Sequence, residues 1–276
     1  MIWKALRCPV CGAEVEKSEN GKSLICKGSP TGKHHCYDFS ARGYVNLALP
    51  SQSLSGDSRQ AVVSRTRFLD GGYYAPVQKA VCDALEKYGG GLAVDAGCGE
   101  GYYTCAMADV CDAVVGFDLS KSGVDAAARR ATREGRGNAL FSVAGIYTMP
   151  LADGCADAVT SIFAPCAEQE FLRILKRGGV LIAVGAGEDH LLGLKRALYD
   201  EVYKNTDRAD MPKELTLVDK TELHYEIELS DNQVIQDLFS MTPYYYRTSE
   251  KDLEKLSALN TLRTDVHVFI EVYQKH

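Results

Sequence analysis

No run of apolar residues in this 276-residue chain approaches the ~20 needed to cross a bilayer as a helix, which excludes a helical membrane span. Residues 1–7 are too few and too polar for a secretory leader before a Cys-Pro-x-Cys turn begins. A disulfide framework is missing as well. Of ten cysteines, four lie in the first 36 residues, and the other six (Cys82, Cys98, Cys105, Cys111, Cys155, Cys166) are scattered through apolar stretches. Thiols placed so read as small core residues of a reducing compartment. No internal repeat is present. What is left is an ordinary globular composition, 46% hydrophobic and 25% charged, expected in the cytoplasm. Its length suits one large domain with a small appendage.

The net charge of −6 is unevenly spread. Residues 1–67 hold ten Lys/Arg against five Asp/Glu, and the remainder holds 21 against 32. A basic front segment on an acidic body suits contact with a polyanion, and equally a solvated face with no partner.

Three stretches organise the chain. Residues 1–49 read as a compact module of loops and short strands, and residues 50–58 have the Ser/Gly/Pro composition of a linker. Asp57 is placed to cap a helix over residues 59–69, so linker and helix together occupy 50–75. Residues 76–276 form the large domain, whose first helix follows Pro76 and carries Val77, Ala80, Val81, Ala84, Leu85 and Tyr88 on one face. From residue 92, apolar strands at 92–95, 113–118, 139–143, 156–163 and 180–184 alternate with helices at 102–108, 121–133 and 168–176. That alternation predicts a parallel sheet covered on both faces. A helix through residue 204, a polar strand near 223–229, a helix near 232–239 and a strand at 266–272 follow.

The turn leaving the first of these strands reads Asp95-Ala-Gly97-Cys-Gly99-Glu-Gly101. Glycines there let the backbone approach a ligand beside the N-terminus of the next helix. A dinucleotide fingerprint sets its last glycine three residues beyond the second; here the gap is two and an acid precedes. The D-x-G-x-G-x-G spacing resembles motif I of class I methyltransferases, whose ligand offers an ammonium and a carboxylate instead of a pyrophosphate. Asp118 ends the second strand about 20 residues on, where a carboxylate accepts from the ribose hydroxyls of a nucleoside. Its other reading is a helix N-cap. Leu175-Lys-Arg-Gly178-Gly179-Val180 resembles the helix-to-strand turn of the same proteins. The expected fold is α/β: a class I (Rossmann-like) methyltransferase domain with a mixed seven-stranded sheet, preceded by a small zinc-binding module.

Cys8-Pro-Val-Cys11 presents two thiolates to one metal, Cys26 adds a third, and His34, His35 and Cys36 offer the fourth donor. So small a module, poor in apolar residues, draws folding energy from Zn2+. A redox C-x-x-C belongs at a helix start within a βαβ unit, a context absent here.

Further along come Tyr37-Asp38, Gly43-Tyr-Val-Asn-Leu47, Gly56-Asp57-Ser58 and Arg67-Phe-Leu-Asp-Gly-Gly-Tyr-Tyr74. Then follow Asp95 to Thr104, Ala164-Pro-Cys166, His190-Leu191 and Met241-Thr-Pro243. In this order they resemble the bacterial large-subunit (23S) rRNA guanine-N1-methyltransferases, a family linked to macrolide resistance. The resemblance implies methyl transfer from S-adenosylmethionine to N1 of a guanine in an rRNA hairpin. The hairpin is the partner, no membrane is involved, and a homodimer is allowed. Tyr74, Gly99, Glu100 and His190 are implied to line the cofactor pocket, with the loop residues Asp95, Gly97 and Gly101 and the ribose carboxylate Asp118. Cys8, Cys11, Cys26 and His35 are implied as zinc ligands. Residues 27–34 lengthen the family's usual gap, so Cys36 stands as the alternative fourth ligand. Guanine N1 carries a proton that a general base must take, and no motif marks that base. Two other functions use the same residues: a small-molecule methyltransferase with the cysteine module as a lid, and a non-catalytic RNA-binding protein.

Overall fold

The computed structural model describes residues 2–28, 32–49, 57–202, 205, 211–246 and 248–276. Most of the expected linker (50–56) and the end of the helix expected through residue 204 lie outside the described residues. The cysteine-rich segment folds as an antiparallel sheet of β1 (Val15–Lys17), β2 (Ser23–Cys26) and β3 (Cys36–Asp38), followed by a two-residue strand, β4 (Val45–Asn46). Helix α1 (Arg59–Asp70) starts one residue away from the expected cap. Ser58, not Asp57, caps it by accepting from the Ala61 N–H at 3.2 Å, because the Asp57 carboxylate is engaged by Arg65. Helix α2 (Ala75–Tyr88) carries Pro76 in its first turn and buries Val77, Val81 and Leu85 as one stripe.

The strand–helix alternation then appears as β5 (Leu92–Ala96), α3 (Tyr102–Met107), β6 (Ala113–Asp118), α4 (Lys121–Glu134), β7 (Ala139–Val143), β8 (Ala156–Ile162), α5 (Glu168–Ile174) and β9 (Leu175–Ala186). Next come α6 (Leu192–Leu198), β10 (Leu215–Leu229), α7 (Asn232–Ser240), α8 (Glu250–Ser257) and β11 (Leu262–Lys275). The large sheet runs β10-β11-β9-β8-β5-β6-β7-β4. Pairs from β9 through β4 are parallel, and β11 is antiparallel to both β9 and β10.

The sheet therefore has eight strands where seven are expected. The extra one is β4, which sets Val45 opposite Ser142 and Asn46 opposite Val143, while the Leu47 N–H donates to the Val143 carbonyl at 2.9 Å. Two residues carry no legible period, which is why the sequence does not announce this strand.

Side chains alternate across the sheet. Ala93, Val114, Ala158 and Ile182 pack on one face with Phe68 of α1 and the buried stripe of α2. Val94, Val115, Phe117, Leu140 and Leu181 pack on the other with Leu6, Leu24, Val45 and Leu47. The first 49 residues thus share a core with the large sheet. No described helix is long and apolar enough to cross a membrane.

Candidate active site and metal centre

β6 flanks β5 on one side and β8 on the other, so the chain reverses its winding at β5. The crevice above such a switch is where open α/β sheets bind ligands. A cavity of about 630 Å³ fills it.

The glycine loop floors this cavity. Gly97 has φ +88°, and a Cβ there would lie 2.9 Å from the Ala164 Cβ, so only glycine lets the loop meet the turn after β8. Gly101 has φ +79°, and its missing side chain admits Ala127 of α4; it lies outside the cavity wall. Asp95 is also outside the wall. It is 2% exposed and accepts from the Thr104 and Thr160 hydroxyls at 2.5 and 2.8 Å, pinning β5 to α3 and β8. Burial pushes its carboxyl up to about 6 against those hydrogen bonds.

Asp118 does line the cavity. One carboxylate oxygen accepts from the Gly99 N–H at 3.0 Å, the other from the Ser120 N–H at 2.7 Å. Burial raises its pKa, and the two backbone donors and the Arg65 charge oppose that. The cap of α4 is Ser120, whose hydroxyl accepts from the Gly123 N–H at 3.1 Å. Glu100 is 3% exposed, with Oε2 lacking any hydrogen-bond partner and lying 3.7 Å from Arg65 Nη1. The Tyr103 hydroxyl on the same wall also has no partner. Across the cavity the Tyr74 hydroxyl meets His190 Nε2 at 3.3 Å. Burial, first of all, pushes His190 down to about 4, which leaves it neutral.

Tyr74, Gly97, Gly99, Glu100, Asp118 and His190 therefore converge on one cavity, with Asp95 and Gly101 bracing the loop from behind. Arg65, Asp57, Tyr103 and Phe163 line it too; the sequence marks Asp57 only as a helix cap and gives Arg65 and Phe163 no place in the site. Arg65 carried a signal. It falls three residues after Val62 and three before Phe68, on the buried side of α1, where an unpaired cation is out of place.

In the front segment, Cys8, Cys11, Cys26 and His35 place their ligand atoms within 4.8 Å of one another. Cys8 Sγ and Cys26 Sγ each lie 3.5 Å from His35 Nδ1, and Cys11 Sγ lies 4.0 Å from Cys26 Sγ. Zinc bonds of about 2.3 Å to sulfur and 2.1 Å to nitrogen give tetrahedral edges of roughly 3.6–3.8 Å, so this donor set fits the ion. Tyr37 hydroxyl approaches Cys8 Sγ at 3.0 Å, and the His35 N–H donates to Cys26 Sγ at 2.9 Å. Cys36 is exposed and turned away, its sulfur 4.0 Å from Asp38. Of the two alternatives for the fourth donor, the fold brings His35 to the cluster.

A family profile described as "Methyltransferase domain" matches residues 94–183. The 23S rRNA (guanine(748)-N(1))-methyltransferase of Streptomyces fradiae is 34% identical over 204 residues, which cover 71% of this chain and 69% of that one. The chain belongs to the 23S rRNA (guanine-N1)-methyltransferase family. A Bacillus subtilis (strain 168) protein, YxjB, provisionally named as another such methyltransferase, is 29% identical over 289 residues, covering 99% of this chain and 98% of its own. The fold agrees with a solved structure, the YcgJ protein of Bacillus subtilis, at a TM-score of 0.50 with 14% identity, over 72% of this chain and 97% of that one.

As a family member the chain is an S-adenosylmethionine-dependent methyltransferase with the class I fold. The residues present fit that cofactor. Glu100 Oε2 and the Tyr103 hydroxyl are buried polar atoms awaiting a donor or acceptor, and Asp118 keeps lone pairs free beyond its two backbone bonds.

Proposed function

We propose that this methyltransferase transfers a methyl group from S-adenosylmethionine to N1 of a guanine in a 23S rRNA hairpin, and that Cys8, Cys11, Cys26 and His35 hold Zn2+. The observation that carries the reading is the 34% identity to the Streptomyces fradiae enzyme, whose name specifies guanine N1 of 23S rRNA. When bound, S-adenosylmethionine supplies a methyl group on a sulfonium sulfur. Asp118 accepts from ribose hydroxyls, while Tyr74, Gly97, Gly99, Glu100 and His190 wall the pocket. These groups align donor and acceptor, which is the main requirement for in-line transfer from so reactive a donor. Guanine N1 must lose its proton. His190 is not the base, because Nδ1 already accepts from the His267 N–H and Nε2 faces Tyr74.

The zinc-held segment contributes phosphate contacts, and the exposure of Lys22, Lys27, Lys33 and Arg42 supports this. The target's Watson–Crick edge reaches the pocket by extrusion of the base. Incubating the full-length protein with a 23S rRNA transcript and S-adenosylmethionine tests the proposal. N1 methylation blocks the pairing edge, so a reverse-transcription stop at one guanine is expected. Methylation confined to small molecules, or none, would overturn it.

A further inference from the structure

Among the described residues, two non-glycine positions have positive φ: Phe163 (+51°), just past β8, and Leu191 (+57°), just before α6. Both line the cavity. A bulky side chain is strained in that region, and such strain persists where the surroundings over-determine it, typically at working sites. The surroundings of Phe163 do so. Its N–H donates to the Val184 carbonyl at 3.1 Å, and the Ser161 hydroxyl holds the carbonyls of Ala164 and Pro165 at 3.2 and 3.4 Å.

Burial does not explain the strain, for Phe163 is 44% exposed. Its ring stacks on His190 with centroids 5.6 Å apart and planes 20° apart, and the Tyr74 ring meets it edge-on at 6.0 Å. His190 is only 8% exposed and is itself locked by Tyr74 and His267. The result is a rigid aromatic plate, backed on one face and open elsewhere, beside Ala164, which abuts the Gly97 turn.

Resting on the rRNA reading above, we propose that Phe163 is the stacking platform for the extruded target guanine. A base taken from its helix loses its stacking neighbours, and an aromatic ring fixed in advance replaces them. The strained φ holds the ring at the mouth of the pocket instead of letting it fold into the core.

The test uses full-length Phe163→Ala, Phe163→Trp and Phe163→Gly. Cofactor affinity is read by calorimetry, stability by melting, and methylation by kcat/KM on a 23S rRNA transcript. Expected for Phe163→Ala is kcat/KM for RNA at saturating S-adenosylmethionine lowered roughly 10- to 100-fold, a larger loss than any in cofactor affinity. Phe163→Trp should retain most activity. Phe163→Gly should raise Tm, because glycine accepts positive φ, and still show the activity loss. Full kcat/KM in Phe163→Ala, or a loss of cofactor affinity that accounts for the whole defect, overturns the platform alone. A wild-type protein that leaves guanine N1 unmodified overturns the function as well.

Discussion

The backbone N–H of His267 donates to Nδ1 of His190 across 3.2 Å, and this bond decides which ring nitrogen of His190 carries the proton. With Nδ1 accepting, Nε2–H points to the Tyr74 hydroxyl, and the imidazole acts as a neutral donor at the wall of the pocket.

The same burial makes His190 acid-sensitive. Its folded pKa of about 4 lies below the ordinary 6.5, so the unfolded chain takes up the proton first as pH falls. Stability present above 6.5 is lost between about 6.5 and 4. At pH 5 the loss from this residue is ~2 kcal/mol relative to neutral pH. Asp95 works in the opposite sense, its folded pKa of about 6 lying above 3.8, so the contrast with a variant isolates the histidine. Urea unfolding of wild type and His190→Gln at pH 7 and pH 5 should show the variant losing less by that amount. Equal pH dependence would count against a buried neutral His190.

Asp118→Ala should remove cofactor binding without unfolding the protein. A ligand present at about 100 times its Kd stabilises the native state by ~2.7 kcal/mol, roughly 5–10 °C for a chain of this size. Wild type should show that shift with S-adenosylmethionine, and Asp118→Ala little or none. A shift preserved in the variant would move the ribose contact elsewhere.

Metal analysis should return one zinc per chain. Cys11→Ser and His35→Ala should each lose it, whereas Cys36→Ser should keep it, since the Cys36 sulfur is turned away from the cluster. Chelation should also lower Tm of the whole protein, because Leu24 and Leu47 sit in the core shared with the large sheet. Zinc retained in His35→Ala and lost in Cys36→Ser would reverse the assignment.

Changing Lys22, Lys27, Lys33 and Arg42 together to Gln should flatten the salt dependence of RNA binding. Each phosphate contact contributes just under one unit of log–log slope, so a decrease of roughly 3 is expected, less the share of Lys27 held by Glu14 at 3.1 Å. Deleting residues 1–49 is no substitute, since it would strip β4 and expose the sheet face under Leu6 and Leu47. An unchanged slope would place the phosphates on another surface.

Much of this site was legible because it is local. The glycine loop and the C-x-x-C knuckle work through neighbours a few residues away, and Asp118, 19 residues beyond Gly99, stands at the spacing that one strand–helix–strand unit sets. Sequence puts His35 ahead of Cys36 without excluding the latter, since consecutive residues entering a strand point to opposite sides and register decides which faces the cysteine cluster. Asp95 reads with the pocket because it precedes the loop, yet the hydroxyls that donate to it lie on α3 and β8 beneath. Phe163 left no trace. A strained φ depends on how the end of β8 meets β9 and His190, contacts that only the assembled fold creates. Helix α8 is hard to read because its apolar face is only Leu253 and Leu256 among mostly charged residues, too few to set a period.

Strand β4 also orders events in time. The Cys/His cluster closes within the first 35 residues, a short loop that forms early, whereas Val45 finds Ser142 only at a separation of 97 positions in sequence. During synthesis the front segment, where Val45 bridges Phe39, must wait for Ala139–Val143 before its strand can join the large sheet. Until it docks, that Ala-Leu-Phe-Ser-Val edge presents unpaired N–H and C=O groups to any other nascent chain. Pre-formed around the zinc proposed above, the front segment would be a tethered cover for that edge, and loss of zinc should show first as insoluble protein in cells growing fast.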